Sequence, residues 1–141
     1  MKIVFQKVYM VWDLYDGART GLADFNGVPH YFSCVFSDQY TDKFELSPVS
    51  DNYLALALEQ WKIYRDWELQ YNLEDDLIEN HPGNGGVSPR YDELDIILKS
   101  ELKNVKKTNG LFRPEFRVLP NQEELPTGVL REVEVAWHEL T

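Results

Sequence analysis

One cysteine, Cys34, stands in 141 residues, so no internal disulfide can form and no thiolate zinc site can be assembled. A reducing compartment, and with it a cytoplasmic location, is the expectation. Histidine is nearly as scarce, with only His30, His81 and His138. No two of them share helical or hairpin spacing, and no H-E-x-x-H, G-x-S-x-G or Cys/His pairing occurs. No metal or cofactor is therefore expected. Basic residues are few: 14 Lys and Arg stand against 24 Asp and Glu, a net charge of -10. Nucleic-acid binding rests on Lys and Arg that displace condensed counterions, so DNA and RNA are excluded as expected partners. A basic protein partner suits the same surface. Long apolar runs are missing too. In "MKIVFQKVYMVWDLY" the apolar residues are broken by Gln6, Lys7 and Asp13 before a membrane span or signal core is complete. No repeat, low-complexity tract or Pro/Gly/Ser linker divides the chain, which reads as a single domain over 1–141.

What is present is apolar and aromatic. Hydrophobic residues make up 43% and aromatics 13% of the chain, enough to build a core and too much for a disordered one. From Lys2 to Tyr15, Val4, Val8, Met10, Trp12 and Leu14 fall on even positions, the period of a long strand. Asp16-Gly17 offers a turn, and "RTGLADF" and "VPHYFSCVF" read as strands joined by Asn26-Gly27. Both turn residues tolerate positive φ, the requirement of a two-residue hairpin. "KFELSP" reads as an edge strand. From Ser50 the period becomes helical for about 23 residues, with Ser50 or Asp51 as N-cap. Its apolar face holds Leu54, Ala57, Leu58, Trp61 and Tyr64, extended by Tyr53, Leu56, Trp67 and Tyr71. A second helix starts at Ser88 and Pro89 with Asp92 and Glu93 in its first turn. Tyr91, Leu94, Leu98, Leu102 and Val105 form its stripe, and Asn109-Gly110 supplies the stop. "LFRPEFRVL" and "VLREVEVAWHEL" read as a C-terminal hairpin. The sum is an α+β fold, mainly antiparallel sheet packed with two helices.

The stretch "WDLYDGARTGLADFNGVPH" crowds Asp13, Asp16, Arg19, Asp24 and His30 together. A two-residue turn at Asn26-Gly27 pairs Phe25 with Val28, Asp24 with Pro29, Ala23 with His30 and Leu22 with Tyr31. Alternate pairs face opposite ways. Asp24 then shares a face with Leu22, Pro29 and Tyr31, while His30 joins Ala23, Phe25, Val28, Phe32, Cys34 and Phe36 on the more apolar one. The two cannot hold one ion. His30 is expected to be a core imidazole bonded to a backbone carbonyl. Asp16 is a turn residue, and Asp13 with Arg19 a cross-strand ion pair. The register directs the nitrogen of Pro29 toward an open edge.

On the long helix, Arg65 and Glu68 fall inside the arc of Leu58, Trp61 and Tyr64. At i, i+3 they can pair, and a buried unpaired charge would be costly. Trp61, Tyr64, Arg65, Trp67, Glu68 and Tyr71 are the candidate binding residues: either a polar-bottomed aromatic pocket or patch, or helix turns emerging into solvent. "HPGNGGVSPR" puts glycines before a helix but lacks the Walker spacing and lysine, and reads as an interhelical loop.

"YDGARTGLADFNGVPHYF", "LEQWKIYRDWE" and "HPGNGG" together resemble an uncharacterised group of small acidic bacterial proteins over the first two thirds of the chain. The resemblance implies a bacterial cytoplasmic source and nothing about activity, and it carries no functional residues over to this chain. From the residues themselves the leading expectation is an acidic, non-enzymatic module of immunity or inhibitor type, which docks a protein partner through aromatic and carboxylate side chains. A small hydrolase using Asp13, His30 or His81 with carboxylates is the first alternative. A small-ligand binder with an aromatic pocket on the first helix is the second.

Overall fold

The computed structural model describes residues 3–12, 19–37, 42–71, 81–83, 85–103, 105, 107, 110–120, 122 and 131–140, with the side chains of 70 and 71 outside that set. The fold is α+β. Six antiparallel strands close into a barrel in chain order: β1 (Gln6–Trp12), β2 (Thr20–Phe25), β3 (Val28–Ser37), β4 (Asp42–Pro48), β5 (Leu111–Val118) and β6 (Val133–Leu140). Two helices, α1 (Asp51–Tyr71) and α2 (Pro89–Leu102), enter between β4 and β5. The Asn26-Gly27 turn has the expected positive φ at both residues, 54° and 78°, and the four expected pairs between β2 and β3 all form.

Closure into a barrel corrects two expectations about edges. β4 is flanked by β3 and β5, so "KFELSP" is not an edge strand. The outer side of Pro29 is occupied as well: its carbonyl accepts the Val49 N–H at 3.0 Å. Proline is tolerated there because the position lies at the end of the β3–β4 ladder, where one missing donor costs a single bond. Pro114 plays a similar part on β5. Leu119 N–H donates to Glu132 O, so by alternation the odd residues of β5 aim their N–H groups at β6 and Pro114 aims the other way, toward β4. The β4–β5 ladder is correspondingly short, reduced to the Phe44–Phe112 pair.

β1 begins at Gln6, after the described residues 3–5, while the rest of the expected Lys2–Tyr15 strand, at 2 and 13–15, lies outside the described residues; its even residues do not share a face. The register slips between Val8 and Met10. This irregularity sends Val8 and Val11 into the barrel while Met10 and Trp12 point outward beneath the helices. Both faces of the wall are consequently apolar. Inside, Phe32, Phe44, Leu46, Phe112 and Val135 form a core with Phe116 and Trp137 packed against it. Outside, Met10, Leu22, Val49, Tyr53, Ala57 and Leu98 form a second core under the helices. Gly21 is required where these layers meet, since a Cβ there would collide with Met10 O and stand 2.6 Å from the Phe32 ring. Val28 and Phe36, expected on the core side, are each 47% exposed; the slip between Cys34 and Phe36 breaks the alternation that would have buried Phe36.

Ser50 caps α1, its Oγ accepting Tyr53 N–H at 3.0 Å, and Ser88 caps α2, accepting Tyr91 N–H at 3.2 Å. α2 ends at Leu102, before the expected Asn109-Gly110 stop; Lys103 keeps a right-handed φ and donates its N–H to Ser100 O. Gly110, with φ 101°, instead turns the chain into β5. Arg90 ties the helices together by forking onto Glu59 at 2.5 and 2.9 Å. That hydrogen bond, with the guanidinium charge, holds the Glu59 carboxyl below its ordinary range. No helix among the described residues is long and apolar enough to cross a membrane.

Candidate functional site

The most buried line of α1 is Tyr53, Ala57, Gln60, Tyr64 and Glu68, so within the wide apolar face expected the Tyr53, Ala57 and Tyr64 side faces the barrel and the Leu58 side lies nearer solvent. Ala57 is fully buried, letting α1 approach Met10 and Leu22 closely, while Leu58 is 39% exposed. This orientation brings Gln60, 3% exposed, to the centre of the interface, a residue the sequence reading missed. The signal was there: Ala57 follows Tyr53 at i+4 and Gln60 follows Ala57 at i+3, helical steps along one face.

Around Gln60 the helix pair and the outer wall of β1–β3 diverge into an aromatic groove with two chambers. The larger, about 360 Å³, is walled by Trp12, Tyr31, Tyr53 and Tyr91, with Thr20, Asp95 and Lys99 among the polar residues. The smaller, about 250 Å³, is walled by Trp12, Trp61, Tyr64, Tyr91 and His81. Trp12, Gln60 and Tyr91 line both. Gln60 Nε2 donates to Tyr91 O and to Asp95 Oδ1, each at 3.4 Å, long and weak bonds for a buried amide. The Tyr53 hydroxyl is buried and has no hydrogen-bond partner among the described residues. Burial first, then the nearby Tyr31 and Glu101, pushes its pKa well above the ordinary phenol value. Burial raises Tyr91 too, reinforced by Asp95 and Asp92.

Five of the six sequence-selected residues, Trp61, Tyr64, Arg65, Trp67 and Glu68, have described side chains on α1, and of these Trp61 and Tyr64 line the smaller chamber. Arg65 Nη1 donates to Glu68 Oε2 at 2.6 Å, with side chains 15% and 6% exposed, so the pair is buried and bonded rather than solvated. Tyr64 also bonds to Glu68 and is raised in pKa by burial first. Trp61 and Trp67 flank Tyr64 with ring centroids at 5.3 and 6.1 Å. His81, isolated in sequence, joins them: its ring lies 5.5 Å from Tyr64 and 4.7 Å from Trp67. Its Nδ1 accepts Gly83 N–H at 2.8 Å. The side chain of Tyr71 lies outside the described residues. A further cavity, about 530 Å³, opens on the other side of Trp61, between β1, the start of β6 and α1, and collects Lys7, Arg65 and Arg131 against Glu132 and Glu134.

Asp24 and His30 separate as the β2–β3 register requires. His30, 6% exposed, donates Nδ1–H to Val28 O at 2.7 Å and sits edge-on to Phe25, a satisfied core imidazole. Asp24 faces the other way and accepts the Tyr9 hydroxyl at 2.8 Å. Arg19 bonds Cys34 Sγ at 3.3 Å and pairs with Asp42 at 3.5 Å. Asp13 and Asp16 lie outside the described residues. Among the described residues no group of His, Cys, Asp and Glu is arranged to hold a metal ion. No protein-family model, curated protein or solved structure matches the chain.

Proposed function

We propose that the protein binds a small organic ligand in the aromatic groove between its helix pair and the outer barrel wall. The observation that carries this reading is the Tyr53 hydroxyl. A buried polar group without a partner costs about 1–3 kcal/mol, and native structures rarely retain one. Here the residue that carries it, Tyr53, is among those lining a cavity about 360 Å³ in size, within the range of small-molecule sites. Trp12, Tyr31 and Tyr91 offer flat apolar surface, and Gln60, with its long bonds, can exchange them for shorter ones to a guest. A metabolite screen by thermal shift tests the reading. Hits should raise the melting temperature of the wild type and lose that effect in Trp12→Ala and Thr20→Trp, the second of which fills the chamber. Hits equally effective on both variants, or no hits from a broad library, refute it.

A second reading, docking of a basic protein partner, is favoured by the charge of -10 together with Ile96, 71% exposed on α2. It requires a complex that dissociates with added salt and is weakened by Ile96→Asp. A complex indifferent to both would remove it.

A further inference from the structure

The ligand-binding reading leaves the chemistry of the guest open, and the walls of the larger chamber narrow it. Trp12, Tyr31, Tyr53 and Tyr91 surround one space. The faces of such rings carry negative potential, which attracts cations and most of all ammonium groups stripped of water. Carboxylates add to that field. Asp95 lies in the wall, and Asp92 and Glu101 act on Tyr91 and Tyr53 respectively. The chain as a whole, at -10, concentrates cations near its surface.

One cation is already there. Lys99 lines the same chamber, and its Nζ lies 2.8 Å from Asp95 Oδ2. Its side chain is 74% exposed, so the pair is a surface ion pair, easily exchanged. Lys99 thus shows where an ammonium group is accepted, yet its placement gives little resistance to a competitor.

We propose that the larger chamber takes an organic cation, an amine or quaternary ammonium head held by the Trp12, Tyr31, Tyr53 and Tyr91 rings, which displaces the Lys99 ammonium from Asp95. This rests on the ligand-binding reading. A hydroxyl or carbonyl beside the cationic head would also give the Tyr53 hydroxyl its missing partner.

Choline and its uncharged isostere 3,3-dimethylbutan-1-ol differ in charge at nearly constant shape. Each is titrated while the Trp12 indole N–H is followed by NMR, assigned through Trp12→Phe. Choline should bind at least about tenfold more tightly than the alcohol, the scale of a desolvated cation–π site. Asp95→Asn should weaken choline several-fold, whereas Lys99→Ala, which removes the competitor, should tighten it and leave the alcohol unchanged. Both positions are exposed enough for the variants to fold. Equal or tighter binding of the alcohol overturns the cation assignment while leaving a ligand site in place. Weaker choline binding in Lys99→Ala overturns it as well, because the lysine would then be part of the site for an anion. If neither probe moves the Trp12 signal at the highest soluble concentration, the cation assignment fails, and the metabolite screen decides the broader reading separately.

Discussion

Replacing Tyr53 by Phe should stabilise the unliganded protein. Tyr53 is 2% exposed, and its hydroxyl has no partner among the described residues. In the unfolded chain that hydroxyl bonds water, so folding forfeits about 1–3 kcal/mol at this site. The substitution removes one oxygen and leaves a void of roughly 10 Å³, which at about 24 cal/mol per Å³ costs only about 0.2 kcal/mol. Desolvation wins, and the net gain is about 1–2 kcal/mol. For a chain of this size that corresponds to a melting temperature raised by roughly 3–8 °C. Urea unfolding followed by far-UV circular dichroism measures it, with an unchanged m-value showing that the gain lies in stability itself. A loss of about 1 kcal/mol or more would mean that the hydroxyl is bonded in the free protein. The observation on which the ligand site rests would then be gone. If the gain appears, ligand hits should bind Tyr53→Phe less tightly, since a residue that weakens the empty fold is retained for what it contacts when filled.

Three further outcomes follow from the same geometry. Glu68→Ala leaves Arg65 charged and 15% exposed, which should cost about 3–5 kcal/mol, while the double variant Arg65→Met with Glu68→Leu should recover most of it; equal losses for the single and double variants in urea melts would contradict a coupled pair. Gly21→Ala should lose about 1–3 kcal/mol or more, because its Cβ meets the Met10 carbonyl oxygen and a backbone atom cannot step aside as a flexible side chain can; wild-type stability by calorimetry would show that the wall yields there. Alkaline pH should destabilise the fold: burial, aided by Asp24, raises Tyr9 from 10.0 to about 12, and Tyr31, Tyr53, Tyr64 and Tyr91 are also raised. These phenols keep protons in the folded state that the unfolded chain releases, so stability is intact below about pH 10 and falls as pH rises toward about 12; urea midpoints that stay flat over that window would refute it.

Local chemistry in the sequence located most elements. Asn26-Gly27 fixed a turn and a register because two residues of positive φ leave only one pairing. Ser50 and Ser88 marked helix starts through the donors they satisfy. Closure was not legible, since it depends on strand curvature and on β1 meeting β6 across the whole chain, and no local residue encodes that meeting. The irregularity in β1 was equally hidden, because Val8, Met10 and Trp12 keep a period of two in sequence while the backbone breaks it in space. At the candidate site, the aromatic run and the Arg65–Glu68 pair were visible on one helix. Trp12, Tyr31, Tyr91 and Asp95 come from other elements, so their convergence on Gln60 is a tertiary fact. His81 has no histidine partner at hairpin or helical spacing; the rings it meets are those of Tyr64 and Trp67, and no metal-ligand spacing detects such neighbours.

The place of the groove follows from the way two convex bodies touch. The barrel interior holds the rings of Phe32, Phe44, Phe116 and Trp137, with centroids between 5.6 and 6.4 Å apart. α1 is a cylinder laid on a curved wall, so close contact is confined to a line, marked by Tyr53, Ala57, Met10 and Leu22, all at most 2% exposed. On either side the surfaces part. One side opens the cavity beside Lys7, Arg65 and Arg131, and the other, roofed by α2, becomes the aromatic groove. Small apolar side chains in place of Tyr91, Tyr31 and Trp12 would leave a wet cleft, and larger polar ones would close it with their own hydrogen bonds. Rigid rings prop it open instead, because they cannot fold into the gap that separates them. The rings of Trp12, Tyr31 and Tyr91 thus shape a recess between the helices and the wall. Under the proposed ligand-binding reading, the choice of guest falls to the few polar residues on its walls, Tyr53, Gln60, Asp95 and Lys99.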